Sequence, residues 1–146
     1  MDLPRAAAPK AVLFACTRNV VRSPMAAALL RHHAGPSLYV ASAGLTHGEP
    51  DIFAIEVMAE IGIELGSHRS RTFEELGDSS FDLIISLSPE AQHHAAKLTE
   101  TLSLAIEYWP TLDPGIFEGS REQRLTAYRS IRDALATRIQ ARFPGP

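Results

Sequence analysis

The 146-residue sequence holds a single cysteine, Cys16, and only two lysines, Lys10 and Lys97. One cysteine forms no internal disulfide, so a reducing, cytoplasmic setting is expected. Long apolar runs are missing too: none approaches the ~20 residues that span a bilayer. The first ten residues lack the apolar segment of a secretory signal. Residues 1–9 are expected to form a flexible arm, and residues 10–146 a single domain. There is no excess of positive charge, since the formal net charge is −3. That removes the electrostatic argument for nucleic acid or an anionic membrane as partner. Internal repeats and low-complexity blocks are absent as well.

What is present is a chain 45% hydrophobic, long enough for one sizeable core. Its most informative stretch is Cys16-Thr17-Arg18-Asn19-Val20-Val21-Arg22-Ser23, followed by Pro24. Ala11-Val12-Leu13-Phe14-Ala15 before it reads as a buried strand, and Met25 to Arg31 after it as a helix of strong formers. Pro24 suits the first helical position. The eight residues therefore form a loop from a strand end into a helix N-terminus, where backbone N–H groups and the helix dipole favour an anion.

Each side chain has a use at such a site. A thiolate is a nucleophile, and a helix N-terminus with a nearby cation favours that form. Arg22 offers a planar fork to two phosphate oxygens. Ser23 either donates to the sulfur or caps the helix. Together they suit in-line attack of Cys16 on a phosphorus whose oxygens are held by loop amides and the guanidinium.

The remaining pattern alternates strands and helices. The first helix is expected over 24–33, stopping at Gly35-Pro36, and Leu38 to Ser42 reads as the second strand. Strand, helix and strand within ~30 residues make a βαβ unit, whose crossover is right-handed. His32 and His33, in the last helical turn, read as dipole-compatible residues rather than metal ligands. Asp51 is the expected cap of a helix over 52–61, with Met58 on its core face. Gly66 to Arg71 reads as a polar wrap on the outside. Thr72 and Glu75 have the spacing of a capping box. Phe81 to Leu87 reads as a buried parallel strand, Pro89 to Leu98 as a helix, and Ala105 to Trp109 as the fourth strand. The turn-rich stretch 110–119 follows a strand end, where ligands collect in open α/β sheets. Its Asp113-Pro114 pair is either a plain turn or a placed proton donor. Ser120 caps a long helix to about Phe143, whose charged face is expected in solvent.

Val12 to Ala26 resembles the phosphate-binding loop of the low-molecular-weight protein tyrosine phosphatase family, which also contains thioredoxin-coupled arsenate reductases. The resemblance continues in Ser42-Ala43-Gly44, Gly62-Ile63, Phe81 to Ile85 and Asp113-Pro114. It implies one doubly wound α/β domain: four parallel strands in the flavodoxin-like order 2-1-3-4, with helices on both faces. It also implies a metal-free, cofactor-free hydrolase of phosphotyrosine or a small aryl phosphate. Cys16 would be the nucleophile, Arg22 the phosphate clamp and Asp113 the general acid. Thr17, Arg18, Asn19, Val20, Val21 and Ser23 would line the anion, and Ser42 would bond Asn19 and hold it left-handed.

Four departures accompany the resemblance. Arg18 stands where relatives have Gly, and Val21 where they have a second Cys. Ser86-Leu87-Ser88 replaces a Met-Asp pair. Gly115, Ile116 and Phe117 replace two tyrosines, leaving Phe117 or Trp109 to stack on an aryl group. Arg18 is expected at negative φ, acting as a second cation at the rim. His47 is expected in solvent. Two rival readings follow: an arsenate reductase-like protein, or a phosphoprotein-binding module with little turnover.

Overall fold

The computed structural model describes residues 8–77 and 80–144; the expected arm lies outside these residues, apart from its last two. In chain order the elements are β1 (Ala11–Cys16), α1 (Arg22–Ala34), β2 (Tyr39–Gly44), α2 (Ile52–Ala59) and α3 (Phe73–Leu76). They continue with β3 (Leu83–Ser86), α4 (Pro89–Leu98), β4 (Ala105–Tyr108) and α5 (Arg121–Arg142). The strands are all parallel, in the order β2-β1-β3-β4. This is the expected doubly wound order, and it places the strand ends of β1, β3 and β4 side by side.

Alternation along β1 divides the core. Val12, Phe14 and Cys16 pack on the side of α1, α2 and α5, against Met25, Leu30, Met58, Tyr128 and Ile139. Leu13 and Ala15 face α4, with Phe81, Ile84, Ala91 and Ala95. Both faces of the central strand are therefore apolar, as a parallel strand between two helical layers requires.

The caps follow the local chemistry. Asp51 accepts from the N–H groups of Phe53 and Ala54, and both Thr72–Glu75 and Ser120–Gln123 form capping boxes. α1 begins two residues earlier than expected, so Pro24 is its third residue rather than its first. The position still costs no hydrogen bond, because the first four N–H groups of a helix have no partner inside it. Consequently Arg22 opens the helix. His33 Nε2 bonds the Phe143 carbonyl, tying α1 to the end of α5.

The charged face of α5 is only partly solvated, contrary to expectation. Arg132 is buried and donates to the Val57 carbonyl at 2.8 Å and to Glu60 at 2.8 Å. Arg129 also forks onto Glu60, and the two arginines hold that carboxyl down to about 2. The long helix is thereby clamped to α2.

At the end of β2, Gly44 passes directly beneath the loop that follows β1. A Cβ there would lie 2.7 Å from Thr46 O and 2.9 Å from both Thr17 O and Asn19 N, all of them backbone atoms. Gly66 makes an informative contrast, because its Cβ would meet only the Glu64 side chain. Gly44→Ala is expected to destabilise by about 1–3 kcal/mol, and Gly66→Ala by less than about 0.5 kcal/mol. Urea midpoints of the two variants check this; equal shifts would show that the backbone yields at Gly44.

Candidate active site

The loop between Cys16 and Arg22 is held from behind. The Thr17 carbonyl accepts the N–H groups of Leu45 (2.9 Å) and Thr46 (3.0 Å). The Arg18 carbonyl accepts from Ser70 Oγ at 2.7 Å, and the Asn19 carbonyl bonds His68 Nε2 at 2.9 Å. Three successive carbonyls are thus turned away from the cleft. The backbone N–H groups of residues 17–22 find no acceptor among the described residues. Groups of that kind are costly to leave unpaired, so they form a ready cradle for an anion.

Asn19 is the one non-glycine residue at positive φ among the described residues, at 57°, a region that Asn tolerates better than most residues. Its side chain explains how it stays there. Arg71 N–H donates to Asn19 Oδ1 at 3.0 Å, which fixes the amide orientation, and Nδ2 then donates to Ser23 Oγ at 2.9 Å. This corrects the expected role of Ser42, which is buried in β2 opposite Phe14. The hydrogen bonds holding Asn19 come instead from Arg71 and Ser23.

Ser23 Oγ lies 2.9 Å from Cys16 Sγ. Because Ser23 accepts from Asn19, its own proton is free for the sulfur, and a thiolate there gains a hydrogen-bond donor. The helix N-terminus at Arg22 adds its partial positive charge.

Two further strand ends complete the cleft. Thr17 Oγ1 reaches Ser88 Oγ at 3.0 Å, and Ser88 caps α4 through Ala91 N. Arg22 Nη1 donates to the Thr111 carbonyl at 3.0 Å, linking the Cys16 loop to the one after β4. Asp113 lies on that second loop, its Oδ1 accepting Gly115 N–H at 2.8 Å. Cys16, Arg22 and Asp113 line one cleft of about 510 Å³, together with Thr17, Arg18, Val20, Val21, Leu112 and Ile116. Behind Asp113, Tyr128 donates to Asp51 Oδ2 at 2.7 Å. Burial and that carboxylate hold the Tyr128 phenol above its usual range.

Trp109 cannot stack on a substrate ring. It is buried with its edge toward Phe14 and the Arg138 guanidinium over its face. Phe117 is half-exposed and lies outside the cleft, against Glu122 and Thr126. The mouth is apolar through Leu112 and Ile116, 80% and 77% exposed. His47 stays at the surface, 3.6 Å from Glu75.

Residues 11–143 match the family model for the low molecular weight phosphotyrosine protein phosphatase. The chain belongs to that family. A probable low molecular weight protein-tyrosine-phosphatase, EpsP, of Ralstonia nicotianae is 32% identical over 143 residues, covering 92% of this chain and 94% of the relative. An arsenate reductase of Halalkalibacterium halodurans is 30% identical over 133 residues, covering 90% and 93%. Among solved structures, the Erwinia amylovora tyrosine phosphatase AmsI superposes with a TM-score of 0.75 at 21% identity, covering 94% and 93% of the two chains. The arginine phosphatase YwlE of Geobacillus stearothermophilus gives 0.71 at 29% identity, covering 90% and 89%. This protein is therefore a member of a phosphatase family, with its fold throughout.

The strap 66–71 is the part of the site that residue patterns missed. It reads as a solvated surface run, yet His68, Ser70 and Arg71 each hold the loop. A continuous polar run offers no signal for this, because the contacts depend on where the strap crosses. Burial pushes the His68 imidazole below its ordinary value, outweighing its bond to the Asn19 carbonyl, and Arg31 and Arg71 act in the same direction. Neutral His68 is thus favoured in the folded state, while the unfolded chain takes the proton first as pH falls through about 6.5. The contribution of His68 is complete above that value and lost as pH falls through its lower folded value. Stability should fall more steeply between pH 7 and pH 5 in the parent than in His68→Gln, whose amide does not titrate. Parallel pH–stability curves would remove His68 from this role.

Proposed function

We propose that the cleft hydrolyses phosphotyrosine in proteins, or small aryl phosphates, through a cysteinyl-phosphate, in a cytoplasmic setting. The observation that carries this is the free set of backbone amides at residues 17–22, closed by Arg22 and backed by a cysteine that Ser23 hydrogen-bonds. A related arsenate reductase structure, 27% identical, is in a phosphate-binding state, which supports a phosphate at the same loop here.

Cys16 Sγ attacks phosphorus in line; the S–P bond forms as the P–O bond to the phenol breaks. The amides and the Arg22 fork take up the charge on the equatorial oxygens. Asp113 gives its proton to the leaving phenolate oxygen. As a carboxylate it then removes a proton from water, which attacks phosphorus and releases phosphate and the thiolate. The Ser23 hydroxyl stabilises the sulfur when it leaves. Cys16→Ala keeps the cradle without the nucleophile and so serves as a substrate trap.

The arsenate reductase reading meets an obstacle in composition. The reductases that the sequence resembles pass oxidation through two further cysteines, and Cys16 stands alone. The arginine phosphatase YwlE raises a different leaving group. Exposed Leu112 and Ile116 at the mouth favour an apolar aryl group over a guanidinium. Hydrolysis of aryl phosphates of graded leaving-group pKa, without added metal, tests the reading. Asp113→Asn should lose ~10²–10⁴-fold on poor leaving groups and far less on good ones. Equal losses across the series would remove Asp113 from proton transfer.

Arg18 keeps negative φ, since Asn19 alone among the described non-glycine residues is positive. It is therefore tolerated in the loop without strain. Its guanidinium lies over Gly48, where a Cβ would come within 2.6 Å of Nη2. A cation so placed draws dianionic substrate to the rim. Arg18→Gly should leave kcat within a few-fold and raise KM, with a KM less sensitive to salt. A strong rise in kcat at constant KM would make Arg18 an obstruction and favour the phosphoprotein-binding module.

A further inference from the structure

Six arginines lie on α5, and four of them are committed to carboxylates: Arg121 to Glu56, Arg129 and Arg132 to Glu60, and Arg142 to Glu107. Arg138 lies over the buried Trp109. Arg124 differs from all of these. Its guanidinium sits over the Phe53 ring at 4.5 Å and lines the catalytic cleft. It makes no ion pair among the described residues, and its Nε is buried without a hydrogen-bond partner.

A guanidinium without a counter-ion is costly to keep beside a ring, and an anion that reaches its cleft-lining edge relieves that cost. None of the nearby carboxylates, Asp51, Asp113 and Glu118, forms an ion pair with Arg124 among the described residues. Asp51 takes two backbone N–H groups on Oδ1 and the Tyr128 hydroxyl on Oδ2. Asp113 Oδ1 takes the Gly115 N–H. The Phe53 ring holds the guanidinium in place, so little rotamer freedom is lost on binding.

Position tells which part of a substrate it meets. Arg124 lines the cleft and, beside it, the turn of Asp113, Gly115 and Ile116, which is the side from which the proposed general acid meets the leaving group. The group it reads thus belongs to the chain carrying the phenol. Resting on the phosphotyrosine reading above, we propose that Arg124 is a specificity residue that binds an acidic side chain adjacent to phosphotyrosine in a peptide substrate.

The test compares phosphotyrosine peptides with Asp, Ala or Lys beside the phosphotyrosine. Affinity is read by calorimetry on the Cys16→Ala protein, so that the result does not depend on turnover; kcat/KM is read on the parent. The Asp peptide should be favoured over the Ala peptide by about fivefold, and the Lys peptide should be weakest. Arg124→Gln should erase the preference by weakening the Asp peptide while the affinity of the Ala peptide stays where it was. Arg124→Lys, which keeps the charge without the fork, should retain part of it. Raising salt should shrink the parent's preference. Equal affinity for the Asp and Ala peptides, or a preference that survives in Arg124→Gln of unchanged thermal midpoint, would overturn the assignment. Failure of the parent to hydrolyse any aryl phosphate would overturn the phosphatase reading, whereas a flat affinity series with normal hydrolysis would overturn only the role of Arg124.

Discussion

The site depends on three carbonyls being turned outward. The oxygens of Thr17, Arg18 and Asn19 are occupied by Leu45 and Thr46, by Ser70 and by His68 respectively. Each bond fixes a peptide plane, and a plane with its carbonyl outward presents its N–H inward. An anion cradle therefore needs partners behind it as much as donors within it. Those partners come from the loop after β2 and from the strap at 66–71, which joins the sheet region through the Gly44 N–H to Arg71 carbonyl bond at 2.9 Å. The close passage of Gly44 is part of the same constraint. A larger residue would press on Thr17 O, one of the outward carbonyls, and on Asn19 N, a donor of the cradle.

Parallel topology then brings the chemistry together. Cys16 ends β1 opposite Gly44, and Ala15 is level with Ser86, which is level with Tyr108. Three strand ends at one height deliver the Cys16 loop, the cap of α4 and the Asp113 loop to a single rim. Arg22 couples two of them, because it opens α1 and also grips the Thr111 carbonyl. A shift of the Asp113 loop would be felt at the Arg22 guanidinium through that bond.

Much of this was legible in the residues. The strands and caps follow from apolar runs and capping spacing, and the cleft residues from the stretch Cys16 to Ser23 with Asp113-Pro114. Three features were not. The early start of α1 at Arg22 is set by the Met25 N–H to Val21 carbonyl bond, which no local propensity specifies. Trp109 looked available at a strand end, but register places it under α5 against Phe14. The partners of Asn19 were assigned to Ser42 by resemblance, whereas a backbone N–H at Arg71 takes the amide oxygen. Backbone partners carry no side-chain signature, so the strap was read as surface.

The bias toward arginine has a structural cause. A lysine ammonium is a point charge, while a guanidinium is a planar fork that also stacks on rings. The described arginines use both properties. Arg31 forks onto the Val40 carbonyl through Nε and Nη2, and Arg129 onto Glu60. Arg138 and Arg124 sit over the rings of Trp109 and Phe53, at 4.8 and 4.5 Å from their centroids. Lysine at these positions would keep the charge and lose the geometry. The same property separates the roles of the arginines at the cleft. Arg22 is tied to a carbonyl on one side and offers its remaining N–H groups to an anion. Arg18 lies along Gly48 at the rim. Arg124 is oriented by a ring and still lacks an acceptor for Nε. Three cations of one chemical type are thus distinguished by what already holds them, and on the proposed reading one would clamp, one attract and one select.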